Sequence, residues 1–468
     1  MGLSLGLDTA VKALRAHQLA VDVASHNIAN ANSPGFSRQR VLLRPMGIDG
    51  SDHFTRDALL GRTGFGVDAH DVNRVRDIFL DFQARSALSS RAQSDAYSTA
   101  ISQTELVFND PSDEGLSGLV DAYFAAWHDV VNDPESGPAR TTLVNAATTL
   151  TTRLQRAHAN LQTQRQDLDR RIGGEADKVN AASHEIAQLN FQIKQVELSG
   201  DMANDLRDRR DLLLDQLASL GPISYTEQPD HSVTVYFGNH ELVTGNIARD
   251  VDAIPDIANP GFTKLVFAMD GEPVQATGGE IKGLLDARDT AIPGVTAKLN
   301  ALASGFITSV NALHAAGFGL DNSTGLAFFT GTDASNIALN GTLAANPNKI
   351  AAATAAGSPG NGANALAIAD LQLAQTMAAG TATFGEFYGD MVSVLGADVS
   401  RAQGLSESGT LLVNHLDSLR LSVQGVNIDE EVTNLNSAQH AYQAAARVIT
   451  AIDQMLETLI SNTGVVGR

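Results

Sequence analysis

The sequence has no cysteine, which excludes disulfides, thiol nucleophiles and cysteine-ligated metals. Aromatic residues are scarce, 5% of 468 residues with a single Trp. The core must therefore be mostly aliphatic and alanine, which suits helix-on-helix packing better than a large all-β core. Positive charge is also short: 32 Lys+Arg stand against 53 Asp+Glu, a net charge of −21. That balance argues against nucleic acid as a partner, because the phosphate backbone would be repelled. No apolar run approaches a membrane span, so no membrane partner is expected. Asp8, Lys12 and Arg15 precede any long apolar run, which is unlike a Sec-type signal peptide.

Catalytic and ligand motifs are thin as well. Twelve histidines are present, yet none lies closer than nine positions to another, as at His17/His26 and His231/His240. The close pairs that helical or strand metal sites use are missing. Gly2-Leu3-Ser4-Leu5-Gly6 matches a nucleophile-elbow string, but no strand precedes it and the strand–turn–helix context is missing. Gly61, Gly64 and Gly66 lack the Lys-Ser/Thr of a phosphate loop. Asp208, Asp211 and Asp215 share one helix face with Arg207, Arg209 and Arg210 interleaved, which reads as a solvated ion-pair ladder. No enzyme, metal or cofactor is expected.

What the sequence does carry is helical periodicity at both ends. Leu7, Leu14, Val21 and Ile28 recur every seven residues, the spacing of a coiled-coil seam. Near the C-terminus Leu421, Ile428, Leu435, Tyr442, Ile449 and Leu456 do the same, with Ala438, Ala445, Ile452 and Leu459 in an adjacent row. One narrow stripe buries little area, so each helix needs a mate. The two ends can supply one to each other, or neighbouring copies can. Charge favours such pairing. Residues 1–46 carry five positive and two negative side chains, and residues 421–468 carry two positive and five negative.

Between the ends, Leu154, Leu161, Leu168, then Ile172, Val179, Ile186 and Ile193, then Leu206, Leu213 and Leu220 predict a helical block over 139–220. If continuous, its roughly 80 residues would span ~120 Å, with possible kinks at Gly173-Gly174 and Ser199-Gly200. Asp205/Arg209 and Arg207/Asp211 would pair along its exposed side. Alternation over 232–237 followed by Gly238-Asn239 predicts a β-hairpin. Helical spacing returns over 280–316, and the Gly-, Asn- and Thr-rich stretch 317–364 reads as loops or short strands.

The run NIANANSPGFSRQR, from Asn27 to Arg40, resembles the N-terminal signature of the bacterial flagellar axial proteins, the rod, hook and hook-associated subunits. Its signature positions here are Asn27, Asn30, Pro34, Gly35, Phe36 and Arg38, with Asn27 and Asn30 able to cap the helix end. GFGVDAHDVNRVRDIFLDFQ (64–83), NDLRDRRDLLLDQLASL (204–220) and the segment 425–462 are similar to hook-associated members.

The resemblance implies a secreted flagellar subunit, exported without a cleaved signal, that sits at the hook–filament junction as a homo-oligomeric ring. Its expected partners are the hook protein, hook-associated protein 3 and an export chaperone on the C-terminal helix. Subunit contacts are expected at Leu7, Leu14, Val21, Ile28, Leu421, Ile428, Leu435, Tyr442, Ile449 and Leu456. The expected fold is mainly α with a β-containing insertion, a coiled-coil stalk from both termini plus an outer β-rich domain. The expected segments are an N-terminal helix and signature loop (1–45), a helical rod (46–220), a β-rich insertion (221–364), a second helical part (365–420) and a C-terminal helix (421–468). Two rivals stand: a hook or distal-rod subunit, and an extracellular binding module or adhesin with 221–364 as its recognition domain.

Overall fold

In the computed structural model the described residues are 2–46, 66–108 and 115–463; Gly61 and Gly64 lie outside them, as does the end of the C-terminal segment. Helix α1 (Gly2–Asn30) leads into an antiparallel hairpin of β1 (Gln39–Pro45) and β2 (Val67–Arg74). Four helices follow: α2 (Ile78–Leu106), α3 (Leu116–Asn132), α4 (Gly137–Leu198) and α5 (Asn204–Leu220). Strands β3 (Ile223–Glu227), β4 (Val233–Phe237), β5 (His240–Thr244) and β6 (Ile247–Ala248) form one antiparallel sheet; β7 (Val251–Pro255) and β8 (Thr263–Phe267) form a second. Helix α6 (Gly279–Asp286) passes through a π-helical turn into α7 (Ile292–Ala316). Next come β9 (Phe329–Thr330), β10 (Ala338–Leu339), α8 (Gly341–Ala345) and α9 (Ala363–Ala369). Two long helices, α10 (Phe384–Gln424) and α11 (Ile428–Thr463), end the chain. The molecule is mainly α with a β-containing middle, as the periodicities indicate.

Helix α4 is the spine. Ser136 accepts from the Ala139 N–H and Pro138 occupies the first turn, a strong start signal. Its 62 residues span about 93 Å at ~1.5 Å each, and it runs straight through Gly173-Gly174. It stops at Leu198, where Gly200 takes φ +91°. The chain then reverses, so α5 packs back on α4 and does not prolong it. The expected 80-residue rod is thus a helical hairpin, because a left-handed glycine turns the chain where a kink was anticipated.

One continuous core runs along α4 from α3 to the sheets. The few aromatics are concentrated at one end of it: Tyr123, Phe124 and Trp127 of α3 meet Phe306, Phe328, Phe329 and Phe384, with Phe306 and Phe384 stacked at 4.1 Å. The 221–364 stretch resolves into two pieces on either side of α6 and α7. Its sheets dock on the C-terminal half of α4, where Asn180 and Asn190 grip the backbones of Val251 and Val233. Residues after α7 dock near its start, where Arg140 donates to the Pro347 and Ile350 carbonyls. In the latter piece Phe328, Phe329 and Ile337 are core residues, so this Gly- and Asn-rich stretch is a packed part of the body. The helical part after 364 is also interrupted: α10 begins only at Phe384, behind a Thr383/Glu386 capping box.

Helices α2 and α10 pair antiparallel. Arg420 reaches Asp81, Ser406 reaches Asp95 and Gly409 abuts Arg91. Helices α1 and α11 also run antiparallel, with Gly6 beside Ile452 and Asn27 bonded to Glu431. The seven-residue row 421–456 crosses a break at Gly425–Asn427, so Leu421 belongs to α10 and the rest to α11. Asn427 accepts from the Asp429 and Glu430 N–H groups, capping α11.

Candidate assembly interface and its joint

The terminal pair is an alanine seam. On α1 the buried positions are Ala10, Ala16, Ala24 and Asn27; on α11 they are Glu431, Ala438, Ala445 and Ile452. Small side chains let the two backbones approach closely while burying little area each. Leu7, Leu14, Val21 and Ile28 are half-buried beside this seam, as are Leu435, Ile449 and Leu456. Tyr442 is partly exposed, and Ile428 and Leu421 are open. Of the two mates the seven-residue rows allow, the structure shows the intramolecular one: each terminal helix has the other. Adjacent to the seam α11 still shows Val432, Val448, Met455, Leu459 and Ile460 to solvent.

The signature loop is the joint between this pair and the body. Asn27 is fully buried and does not cap α1. Its Nδ2 donates to the Gln39 carbonyl at 2.8 Å, and its Oδ1 accepts the Gln39 N–H at 2.9 Å. The same Nδ2 lies 3.0 Å from Glu431 Oε2. One amide thus stands in for a strand neighbour and touches α11 as well. Asn30 does serve the helix end, donating to the His26 carbonyl and accepting from the Ser33 hydroxyl. Pro34 is exposed; Gly35 holds φ +78° against Leu212 of α5; the Phe36 ring meets His26 edge-on at 5.4 Å. The Ser37 N–H donates to Asp208 of α5 at 2.8 Å. Arg38 then clamps the first turn of α11, with Nη1 2.8 Å from Glu430 and Nη2 2.8 Å from Glu431. Its N–H donates to the Gln424 carbonyl that ends α10. All six signature residues share this loop or the helix end it leaves. The charge complementarity of the two termini is expressed here, between a loop arginine and two helix-start carboxylates, rather than along the seam.

Behind the loop lies a buried ion network. Asp211 accepts from Arg74 and Arg76, both at 2.7 Å, and from Arg85 at 3.3 Å. Asp208 accepts from Arg74 at 2.8 Å, and Asp215 from Arg85 at 2.6 Å and Arg420 at 2.9 Å. Asp81 holds Arg76 and Arg420. Burial alone would raise the Asp211 carboxyl, but Arg76, Arg74 and Arg85 outweigh it and bring it down to about 2. Asp208, one turn earlier, is pushed upward by burial despite Arg74 and Ser37. The solvated ladder expected on α5 is in fact buried, and its arginine partners come from β2, the link to α2, α2 itself and α10 rather than from α5. Arg207 and Arg209 likewise pair with Glu197 and Glu185 of α4, and not with Asp211 and Asp205.

Sequence reading missed Glu431, Arg74, Arg76 and Arg420. The available signal was the string of charges at spacings of three and four in α5, too many for a surface row beside Leu213, Leu214 and Leu217 of the core. Among the described residues no group of three or more His, Cys, Asp or Glu could hold a metal ion. No helix among them is long and apolar enough to cross a membrane.

Terminal helices paired antiparallel, and locked to a helical body by the Asn27–Arg40 loop, carry the segments that match flagellar axial proteins. The family model "Flagella basal body rod protein" matches residues 7–36 and "Flagellar basal body rod FlgEFG protein C-terminal" matches 419–462. These are the two ends of the chain, α1 with its loop and α11. "Flagellar hook-associated protein FlgK helical domain" matches residues 101–329. At both ends the chain is similar to the flagellar rod and hook axial proteins, and through its middle to the hook-associated ones. It is 28% identical to flagellar hook-associated protein 1 of Bacillus subtilis, over 99% of each chain. It is 25% identical to the protein of that name from Escherichia coli, over 97% of this chain and 99% of the relative. The solved structure of the flagellar hook junction protein FlgK from Burkholderia pseudomallei shares the fold, with a TM-score of 0.65 and 17% identity over 73% of this chain and 100% of that one. The protein is thus a structural component of the bacterial flagellum that associates with other axial subunits.

Proposed function

We propose that the protein is the adaptor that joins hook to filament, a ring-forming subunit exported from the cell and held by its terminal helices. Its neighbours in this reading are the hook protein below and hook-associated protein 3 above, with an export chaperone covering α11 before assembly. The proposal rests chiefly on one observation: α11 already carries α1 on its seam and still leaves Ile428, Val432, Val448, Met455, Leu459 and Ile460 open to water. Such a helix gains by burying that second set of apolar groups, about 25 cal/mol per Å². We assign Leu421 and Ile428 of the predicted seam to subunit contacts. Leu7, Leu14, Val21, Leu435, Tyr442, Ile449 and Leu456 are shared between the internal pair and the neighbouring copies.

The test is Val448→Asp together with Ile460→Asp. Both side chains are exposed in the free chain, so the melting temperature should hold, while an unpaired charge in the assembled interface stops filament attachment. Normal filaments grown on the doubly substituted protein would refute the assignment.

A further inference from the structure

Arg210 of α5 is 2% exposed, and among the described residues no carboxylate lies within 4.0 Å of it. Its Nη1 donates to Asn190 Oδ1 at 3.0 Å and to the His231 carbonyl at 2.8 Å, while its Nε finds no acceptor. Arg140, the other buried arginine without a carboxylate, makes the contrast. It places four bonds on the Pro134, Pro347 and Ile350 carbonyls and is satisfied. Arg210 instead lines a cleft of about 560 Å³ together with Arg74, Arg76 and Arg207. Asp81, Asp211 and Glu227 also reach the cleft, but each is already engaged: by Arg76 at 3.0 Å, by Arg74 and Arg76 at 2.7 Å, and by Arg207 at 3.2 Å. The wall is left with one guanidinium that has no carboxylate of its own in contact. Burial, reinforced by Arg207 and Arg74 and only partly offset by Asp211 and Glu227, pulls its ionisation down to about 10.

A protein with a net charge of −21 has carboxylates to spare, so a buried arginine on a cleft wall with no carboxylate in contact points to a partner from outside. We propose that this cleft binds a small oxyanion of the carboxylate or phosphate class, with Arg210 as its central donor. Both classes present paired oxygens that suit a guanidinium edge.

The test uses the full chain as purified, titrated with sodium phosphate or sodium malonate against sodium chloride at matched ionic strength. Phosphate, malonate or both should raise the melting temperature saturably beyond chloride, and calorimetry should find one site per chain. Phosphate acting alone assigns the phosphate class, and malonate acting alone the carboxylate class. Arg210→Met should weaken binding by roughly tenfold or more, the worth of a charge-assisted bond. Arg209→Gln, whose side chain is mostly exposed, should leave binding unchanged. Equal melting in all three salts with no saturable heat overturns the proposal, and so does undiminished binding in a folded Arg210→Met protein. If that variant does not fold, the calorimetric titration of the unaltered protein decides alone.

Discussion

Asp211→Asn removes one charge from the centre of the buried network and nearly preserves the shape of the side chain. The carboxyl is held at about 2 from an ordinary 3.8, so its ionised form contributes about 2.5 kcal/mol at neutral pH, at ~1.36 kcal/mol per pH unit. Its side chain is 14% exposed, so solvent screening takes little from that figure. Removing one partner of a buried pair costs ~3–5 kcal/mol when it orphans the other. Here each arginine keeps a second carboxylate: Arg74 keeps Asp208, Arg76 keeps Asp81 and Arg85 keeps Asp215. The expected loss is therefore about 2–3 kcal/mol. Urea denaturation followed by circular dichroism measures it.

The pH dependence separates this account from a simple packing defect. A depressed carboxyl contributes fully above its unfolded pKa and loses that contribution as pH falls toward its folded value. The gap between native and Asp211→Asn proteins should be complete at pH 7, about half as large at pH 3, and closed below about 2. A gap of equal size at pH 7 and pH 3 would refute the electrostatic reading. No gap at pH 7 would refute the whole network as a source of stability.

Four further outcomes follow. Asn27→Ala leaves the Gln39 backbone groups and Glu431 without their buried partner and should cost about 1–3 kcal/mol, with faster hydrogen exchange at Gln39. Arg38→Gln should accelerate exchange in the first turns of α11 while leaving α4 protected, since only the joint loses its clamp. Gly35→Ala, at φ +78°, should cost about 1–2 kcal/mol for a left-handed non-glycine residue, read as a lower urea midpoint. His314, buried and accepting the Ala351 N–H on Nε2, is held down to about 4 by burial and the nearby Arg140 charge, against a Leu326 carbonyl contact that favours the proton. The native protein should therefore lose stability as pH falls from about 6.5 to about 4, and His314→Asn should flatten that slope.

The periodic parts of the fold were legible in the sequence. Seven-residue rows located α1, α4 and α11, the alternation at 232–237 located β4, and the Asn27–Arg40 run located the joint. The folding-back of α5 was not legible, because Gly200 as a turn and Gly200 as a kink leave the same string. Nor were the strand-gripping asparagines. Asn190 sits between Ile186 and Ile193 on the core face of α4 and looks like a polar flaw in that row. Its meaning depends on Val233, some forty residues away, offering an N–H and a carbonyl to one amide. The same holds for Asp208, Asp211 and Asp215. Their local neighbours are arginines of α5, and only tertiary structure replaces those with arginines from elsewhere in the chain.

The distribution of apolar contacts explains why the joint is polar. No residue of α1, β1, β2 or α11 enters the main core among the described residues; the terminal pair has its own alanine seam and little else. A hydrophobic joint would bind the pair to the body as firmly but without fixing direction, since apolar attraction is not directional. Charge-assisted bonds at 2.7–2.9 Å carry strict angular demands. Arg38 on Glu430 and Glu431, Ser37 on Asp208, and Arg420 on Asp81 and Asp215 tie α11, α5, α2 and α10 into one frame. The desolvation those groups suffer brings back orientation more than net stability. A subunit that must present two helices at a set angle to its neighbours needs orientation at that joint, while the long α4 core can supply the stability.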